Sequence, residues 1–232
     1  MKRSLTLALL VASPTFVSHA SELSITTHSP DYNLSFDQPA RLVDALNVAQ
    51  SNKVVITYPL AAYIATLTPS VEFIAKVEDN LNIVSSEAQA TAFAHYIKQQ
   101  TFNEKLIHNL DIDVIRLDER QNPLLRGDLA LFTPNKSQPI VVGAVTNQEH
   151  QLKTGTSLES QWNDIDFLDT AKKHQPIIIQ PDGTVFKTDI GYWISQEHYL
   201  AAGSIVYVPF FSPDSTFDNA AIELLKAVEV SQ

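Results

Sequence analysis

Two groups of carboxylates carry the residue types best suited to chemistry, and one of them surrounds an arginine. Paired carboxylates act as general acid, general base or nucleophile in glycan hydrolysis, and closely spaced aspartates also ligate cations. The same residue types form helix caps, solvated turns and ion-pair networks, so the pattern leaves these alternatives open. The groups are Asp111, Asp113, Asp118 and Glu119 around Arg116, and Asp164, Asp166 and Asp169.

Arg116 lies between two apolar residues, Ile115 and Leu117, and this alternation predicts a β-strand. On such a strand the arginine points away from both neighbours, and it must be paired or exposed. We predict that Arg116, with Asp118, Glu119 and Asp128, forms either a structural ion pair or a binding site. Asp128 is the favoured internal partner; a carboxylate or phosphate of a glycan is the alternative.

Other catalytic and cofactor sites have no signature in this chain. Its six glycines are isolated, so there is neither a Gly-x-Ser-x-Gly elbow nor a phosphate-binding loop. The histidines are scattered, and the sequence contains no cysteine. We therefore expect no catalytic residue, no bound cofactor and no metal site.

The elements that position these residues follow an order that occurs twice. The first pass has strands near residues 22–27 and 32–36, then a helix that Pro39 opens. A helical hairpin, at about residues 68–105, interrupts it, and strands follow from residue 111 to residue 132.

The second pass follows a linker over residues 133–139, which is polar and contains two prolines. It has strands at 140–145 and 177–179, a short helix between them, a Pro-Asp-Gly turn at 181–183 and a last strand within 203–210. The repeat predicts an α+β protein with domains at residues 21–135 and 136–211.

The remaining residues, 212–232, predict an amphipathic helix with Ser215 and Asp218 at capping-box spacing. Its apolar stripe either packs on the second domain or docks on a partner protein. The stripe consists of Phe217, Ala221, Leu224, Leu225 and Val228.

Charge and the N-terminal residues bear on location and partners. Residues 1–20 combine a basic start, an apolar run and a small-residue end, which predicts a cleavable signal peptide. No later segment is apolar enough to span a membrane. The net charge of -10 argues against nucleic acid or an anionic membrane surface as the partner.

Residues 114–133, VIRLDERQNPLLRGDLALFT, resemble the GfcC-like capsule biosynthesis family. Residues 140–145 and 203–209 are similar to the soluble-ligand-binding (SLBB-like) β-grasp pattern. The resemblance implies two tandem β-grasp domains, a helical insertion in the first and a C-terminal amphipathic helix. Arg116 matches the arginine of the family's motif. Where related domains turn through a glycine, Asn147 is expected to adopt the left-handed conformation.

The resemblance also implies a periplasmic, non-enzymatic protein of capsule or exopolysaccharide assembly and export. Its expected partner is an outer-membrane polysaccharide exporter, another capsule-assembly protein or the polysaccharide. The alternative is a periplasmic glycan-processing enzyme that uses a carboxylate pair near Arg116 or within residues 164–169. A purely structural module is the third hypothesis.

Overall fold

A computed structural model describes residues 23–28, 31–191, 197–211 and 214–229. The predicted signal peptide lies outside these residues. The strands are β1 (Leu23–His28), β2 (Asp31–Phe36), β3 (Ala40–Arg41), β4 (Tyr63–Thr66), β5 (Lys105–His108), β6 (Leu124–Leu125), β7 (Gly127–Phe132), β8 (Ile140–Gly143), β9 (His150–Gln151), β10 (Ile177–Ile179), β11 (Val185–Lys187) and β12 (Ile205–Val208). The helices are α1 (Leu42–Ser51), α2 (Val71–Ser86), α3 (Thr91–Lys98), α4 (Ile112–Leu117), α5 (Leu158–Gln161) and α6 (Ser215–Ala227).

Two five-stranded sheets share one topology, so the predicted α+β class is confirmed. The first has the order β2-β1-β7-β4-β5, and the second has the order β9-β8-β12-β10-β11 when taken from the corresponding edge. In each sheet the first strand of the unit pairs in parallel with its last strand, β1 with β7 and β8 with β12. The other strand pairs are antiparallel. We call the sheets, with the elements that interrupt them, the first and second units.

Helix α1 covers one face of the first sheet with residues at helical spacing. Leu42, Ala45, Leu46 and Ala49 are buried against Leu129 and other sheet residues. The helix begins at Leu42, three residues after Pro39, so the prediction that Pro39 lies in its first turn is wrong. Its first N–H groups are satisfied from far along the chain, because Leu42 N donates to Pro123 O (3.0 Å) and Val43 N to Asn122 Oδ1 (3.0 Å).

Residues 112–117 form helix α4, so the predicted strand through Arg116 is wrong. The Asp111 carboxylate caps the helix by accepting hydrogen bonds from the N–H groups of Asp113 and Val114. Ile115 is buried, whereas Leu117 is 89% exposed. The apolar run therefore buries one side chain, Ile115, from a helical turn. It does not form the apolar face of a strand.

The second unit agrees with its predicted elements. The Pro-Asp-Gly turn joins β10 to β11, and Gly183 has a φ of +82°, a left-handed conformation that glycine adopts without strain. In the turn after β8 the left-handed residue is Glu149 (φ 60°), so the prediction for Asn147 is wrong.

Helices α2 and α3 lie within the predicted insertion, in the connection between β4 and β5 of the first unit. Their buried side chains nevertheless belong to the core of the second unit. Phe93 is fully buried, with its ring centroid 5.6 Å from that of Tyr207 and 6.5 Å from that of Phe210. Val84 and Ile97 join the same cluster. The insertion of the first unit thus covers the sheet of the second.

Helix α6 packs against α2 and the second sheet. Asp214, and not Ser215, caps it by accepting from Thr216 N (2.9 Å) and Phe217 N (3.3 Å). Asp218 instead accepts a hydrogen bond from the hydroxyl of Tyr207 at 3.0 Å. An ion pair between Lys76 and Glu223, 2.6 Å apart, joins α6 to α2. Among the described residues, no helix is both long and apolar enough to cross a membrane.

Candidate functional site

A cleft opens where the first unit, the linker and the end of α6 meet the second sheet. Its volume is about 250 Å³. One end of the second sheet forms its base, through the start of β8 and β12 and the end of β10. The C-terminal ends of α3 and α6 and the first residue of β5 contribute the remaining walls.

Two glycines allow the walls to approach closely. Gly203 (φ +78°) precedes β12, and a Cβ there would lie 3.3 Å from Ser137 Oγ of the linker. Its N–H donates to Ser137 O at 2.8 Å, which fixes the linker on the second sheet. Gly183 in turn lies against the ring of His108 from β5, since a Cβ would be 3.4 Å from His108 Cε1. Larger residues would push these walls apart.

Lys105 holds the end of α6 against the first unit. Its Nζ donates to Lys226 O (2.9 Å) and Val228 O (2.8 Å) and lies 4.6 Å from the centroid of the Tyr63 ring. Burial lowers the pKa of Lys105 to about 8, although the charge of Glu229 opposes the change. The ammonium group therefore binds the carbonyls at the C-terminal end of α6, where the helix dipole favours a cation.

Backbone pairing completes this connection, which we call the α6 latch (residues 226–229 on 101–105). Phe102 and Val228 form an antiparallel bridge. Asn103 N donates to Ala227 O, and Glu229 N donates to Thr101 O, both at 2.8 Å. Asn103 also donates from its side chain to the hydroxyl of Tyr63 at 3.0 Å. The end of α6 is thus fixed in register on the first unit.

Polar side chains without internal partners face the cleft. Gln138 and Gln151 are exposed and make no side-chain hydrogen bond within the described part of the chain. Gln180 already accepts from Ser204 Oγ at 3.1 Å. Amides both donate and accept hydrogen bonds, as sugar hydroxyls do. Ile140, Ile205 and Leu225 supply apolar surface between them.

Tyr96 and Glu149 form one side of the cleft. Burial, followed by the charge of the nearby Glu149 carboxylate, raises the pKa of Tyr96. The tyrosine is therefore neutral at physiological pH, its hydroxyl is hydrogen-bonded to the Glu149 carboxylate, and its ring adds apolar surface to the cleft. Glu149 itself is exposed and makes no ion pair among the described residues.

His108 lies beside the cleft rather than in its walls. Its Nδ1 is buried, and no hydrogen-bond partner for it occurs in the described residues. Burial, then the charges of Lys105 and Lys226, lowers the pKa of His108, and Asp182 opposes them. The ring thus packs in its neutral form against the 181–183 turn.

The residues predicted around Arg116 do not form one site. Arg116 is 55% exposed, lies 4.0 Å from Asp113 and donates to Asn47 Oδ1 at 3.4 Å. Asp118 pairs instead with Arg120 at 3.0 Å. Glu119 and Asp128 are exposed, and Asp128 lies on β7, so the predicted Arg116–Asp128 pair is absent from the described residues. The pair fails because residue 116 is helical and α4 packs on α1.

The second carboxylate group is also open to solvent. Asp164, Asp166 and Asp169 are all exposed, and the backbone oxygen of Asp166 accepts a hydrogen bond from Thr146 N at 2.9 Å. Across the described ranges, no cluster of three His, Asp or Glu side chains is placed to hold a metal ion.

The apolar stripe of α6 is covered inside the chain. Each of its members is at most 9% exposed, and each belongs to the core of the second unit, which answers the question of what packs on this stripe. A partner on the stripe is not needed to bury it. The stripe is Phe217, Ala221, Leu224, Leu225 and Val228.

A hydrogen-bonded chain of Glu159, His198 and Thr188 lies in the second unit. His198 Nδ1 is 2.5 Å from Glu159 Oε1, His198 N donates to Glu159 Oε2 (2.9 Å), and Thr188 Oγ1 is 2.8 Å from His198 Nε2. Burial would raise the pKa of Glu159, but its hydrogen bonds with His198 lower it overall. Thr188 is 5% exposed, so its hydroxyl is inaccessible to a substrate. The chain ties residue 198 to α5.

The cleft residues escaped the sequence analysis because they carry no motif. The polar ones come from separate segments of the chain, and glutamines are common on solvated surfaces. One signal existed in the sequence. The polar linker connects the last strand of the first unit to the first strand of the second, so its residues had to lie where the two units meet.

Two family models and one curated protein match the chain. The model described as Capsule biosynthesis GfcC, N-terminal, matches residues 20–136, and that of Capsule biosynthesis GfcC C-terminal matches residues 146–226. The uncharacterized protein YjbG of Escherichia coli (strain K12) is 30% identical over 131 residues, which cover 53% of each chain. The chain thus spans about half the length of this curated relative.

Proposed function

This chain belongs to the GfcC capsule biosynthesis family, and we propose that it serves capsule assembly by binding a segment of the polysaccharide in the cleft between its units. The observation that carries the proposal is a set of amide, carboxylate and tyrosine groups around apolar residues in one concave site, in which the amides of Gln138 and Gln151 have no partner among the described residues. Convergent polar groups in an apolar pocket are the usual form of a small-molecule site. A volume of about 250 Å³ suits a short part of a longer polysaccharide chain.

We propose that the protein binds the glycan without cleaving it. Hydrolysis needs two carboxyl groups facing each other at about 5–9.5 Å across the scissile bond. The carboxylates near Arg116 are paired locally or exposed, and those at residues 164–169 are exposed and lie away from the cleft lining. Of the two carboxylates in the cleft itself, Glu149 accepts a hydrogen bond from Tyr96, and the charge of Glu229 acts on Lys105. These engagements support a binding role.

The fold supports the same proposal. We infer that both units are β-grasp domains, because each places its parallel first and last strands next to each other at the sheet centre. Each also has a helix in the connection between two strands of its sheet, α1 between β2 and β4 and α5 between β9 and β10. We also propose a periplasmic location after removal of residues 1–20, on the signal-like pattern of that segment. Cell fractionation with N-terminal sequencing of the recovered protein tests the location.

Capsular polysaccharide from cells that make the protein is the probe for binding. Biolayer interferometry should detect its binding to the purified protein, and Gln151→Trp, which fills the cleft rim, should weaken binding at least about tenfold. Gln50→Trp adds the same side chain on the exposed face of α1 and should bind normally. Equal binding by both variants would place the glycan elsewhere.

Gel filtration of the polysaccharide after incubation separates binding from catalysis. An unchanged chain length is expected. A shortened polymer whose formation is abolished by Asp164→Asn would favour the enzyme instead.

An exposed apolar surface favours a second candidate, contact with an outer-membrane exporter or another capsule-assembly protein. Leu117 is 89% exposed, and Val114, on the same short helix, is 40% exposed. Exposed apolar groups on a monomer often mark a protein contact. Crosslinking in cells should capture the exporter with the native protein and lose it with Leu117→Asp; equal capture would exclude α4 as the contact.

A further inference from the structure

A second concave surface lies beside the cleft, and we call it the linker hollow. Its volume is about 320 Å³. Two residues of the linker, Ser137 and Gln138, line both the hollow and the cleft. Both units contribute the other walls of the hollow, which are Tyr58, Lys136, Thr154, Leu200 and Ala202. The cleft and the hollow are therefore neighbouring parts of one surface.

The boundary between the cleft and the hollow is built from backbone and small side chains. Ser137 O accepts a hydrogen bond from Gly203 N at 2.8 Å, and Ala202, on the hollow side, precedes that glycine. Glycine adds no side chain at this boundary. Gln138 is exposed, and its amide makes no hydrogen bond within the described part of the chain. A ligand that passes from the cleft to the hollow therefore meets a free amide at the boundary.

Tyr58 brings an aromatic ring of the first unit to the hollow. Its carbonyl oxygen accepts hydrogen bonds from Ala61 N and Ala62 N, both at 3.2 Å, and these two alanines are buried. The ring is half-buried, and Nζ of the exposed Lys136 lies 5.5 Å from the ring centroid. Such an exposed contact between a cation and a ring is weak. The tyrosine is thus positioned before a ligand arrives, which lowers the entropic cost of binding.

The lining of the hollow suits a sugar ring, which presents C–H groups on its faces and hydroxyls around its edge. Tyr58, Leu200 and Ala202 supply apolar surface, and Thr154 and Lys136 supply hydrogen-bonding groups beside it. Size points the same way, because pockets that hold small ligands measure roughly 300–1,000 Å³. The cleft alone, at about 250 Å³, is smaller, whereas the cleft and the hollow together fall within this range.

We infer that the glycan site continues across the linker, and that Tyr58 is the platform for a sugar unit beyond those held in the cleft. This inference rests on the proposed glycan-binding function, which it extends to a second subsite. A polysaccharide segment in both subsites contacts the two units and the linker at once. Longer segments should therefore bind more tightly than segments that fill the cleft alone.

Oligosaccharides of graded length test the inference. Partial acid hydrolysis of the capsular polysaccharide from cells that make the protein supplies them, and gel filtration sorts them by size. In isothermal titration calorimetry, fractions of about six sugar units should bind at least about tenfold more tightly than fractions of about two units. Equal affinities would confine the glycan to the cleft and overturn the inference. If neither the fractions nor the intact polysaccharide binds, the glycan function itself is rejected.

Tyr58→Ala separates the hollow from the general advantage of a longer ligand. It should weaken binding of the long fraction about tenfold and leave that of the short fraction unchanged, which also shows that the variant is folded. Tyr58→Phe keeps the ring and should keep the gain with length. Tyr32→Ala is the control, because Tyr32 is 45% exposed on β2, at the sheet edge opposite β5. The same gain in Tyr58→Ala as in the native protein would contradict the inference.

Thr154→Trp fills the hollow without changing the Tyr58 loop, so it decides the question if Tyr58→Ala does not fold. It should weaken the long fraction about tenfold and spare the short one. Thr156→Trp adds the same side chain at an exposed position outside the lining and should bind both fractions normally. Normal binding of the long fraction by Thr154→Trp would place the rest of the glycan elsewhere and overturn the second subsite.

Discussion

The two units connect corresponding strands in very different ways. In the second unit, β10 passes to β11 through the short 181–183 turn, whereas in the first unit the corresponding connection, from β4 to β5, contains α2 and α3. Both connections line the cleft, the shorter one through Gly183 and the longer one through α3. The longer connection therefore gives the first unit a means of covering its neighbour and of building a shared site.

The cores of the units differ accordingly. The first core is built from its own sheet with α1 and α4, residues that lie within positions 23–131. The second core takes Phe93 and Ile97 from the insertion of the first unit and Phe217 and Leu224 from α6. Units with the same strand order can thus depend on their neighbours to very different degrees.

Phe93→Ala should give the largest effect, because it removes a fully buried ring from the second core although residue 93 belongs to the sequence of the first unit. We expect a loss of about 3–5 kcal/mol in the free energy of unfolding. Trp162 is buried in the second core, so its fluorescence in urea reports the unfolding of this unit. Leu46→Ala in the first core is the control and should move this transition less. An unchanged transition in Phe93→Ala would show that the stability of the second core does not depend on the insertion of the first unit.

Lys105→Met should cost about 2–3 kcal/mol at pH 7, since it leaves two carbonyls at the end of α6 without a donor. Calorimetric unfolding measures the loss. A variant as stable as the native protein would show that the α6 latch does not hold the units together.

The pH dependence of Lys105 adds a second test. Its pKa is about 8 in the folded protein and higher in the unfolded chain, so the unfolded state binds more protons between these values. Lys105 therefore makes stability rise between pH 8 and about 10. The raised pKa values of Tyr96 and Tyr207 make stability fall as the pH rises, but they contribute equally to the native protein and to Lys105→Met. The native protein should thus gain stability relative to Lys105→Met over this range.

Glu159→Gln should cost about 1–3 kcal/mol at pH 7, because the carboxylate accepts hydrogen bonds from His198. The pKa of Glu159 is lowered in the folded protein, so its contribution is present above the usual value near 4.5 and is lost as the pH falls through the folded value. The native protein and the variant should therefore become more alike below pH 4. Asp113→Asn, at a side chain 91% exposed, is the control.

Gly183→Ala should give the smallest effect, about 1–2 kcal/mol, from the positive φ and the contact of the new Cβ with His108. Gly155→Ala has a similar φ of +75° with no atom within 4 Å of the new Cβ, so it measures the backbone term alone. The difference between the variants isolates the contact of the 181–183 turn with His108 of β5. Identical losses would mean that the 181–183 turn does not depend on β5.

Sequence patterns predicted local structure well and spatial partners poorly. The glycine turn, the linker and the helices of the insertion carry signals in neighbouring residues. The start of α1 carries no such local signal, because the groups that accept its first N–H hydrogen bonds, on Asn122 and Pro123, lie far along the chain. Arg116 was misplaced because a short apolar run fits both a strand and a capped helix.

The cleft was beyond sequence reasoning for a similar reason. An amphipathic stripe shows that a face is covered, and not by what, so the stripes of α2, α3 and α6 were compatible with several arrangements. Whether Lys105 is engaged or free depends on the position of residues 226–228, more than 100 positions away. Which side chains of a site are already hydrogen-bonded thus depends on how the whole chain packs.

The packing of α3 on the second sheet sets the order in which a nascent chain can complete its structure. When residues 71–98 leave the ribosome, the strands that bury Phe93 and Ile97 have not yet been translated. Their apolar surface stays open until β12 and α6 emerge, and such surface invites aggregation or chaperone binding. Separate expression of residues 23–136 should expose this surface permanently.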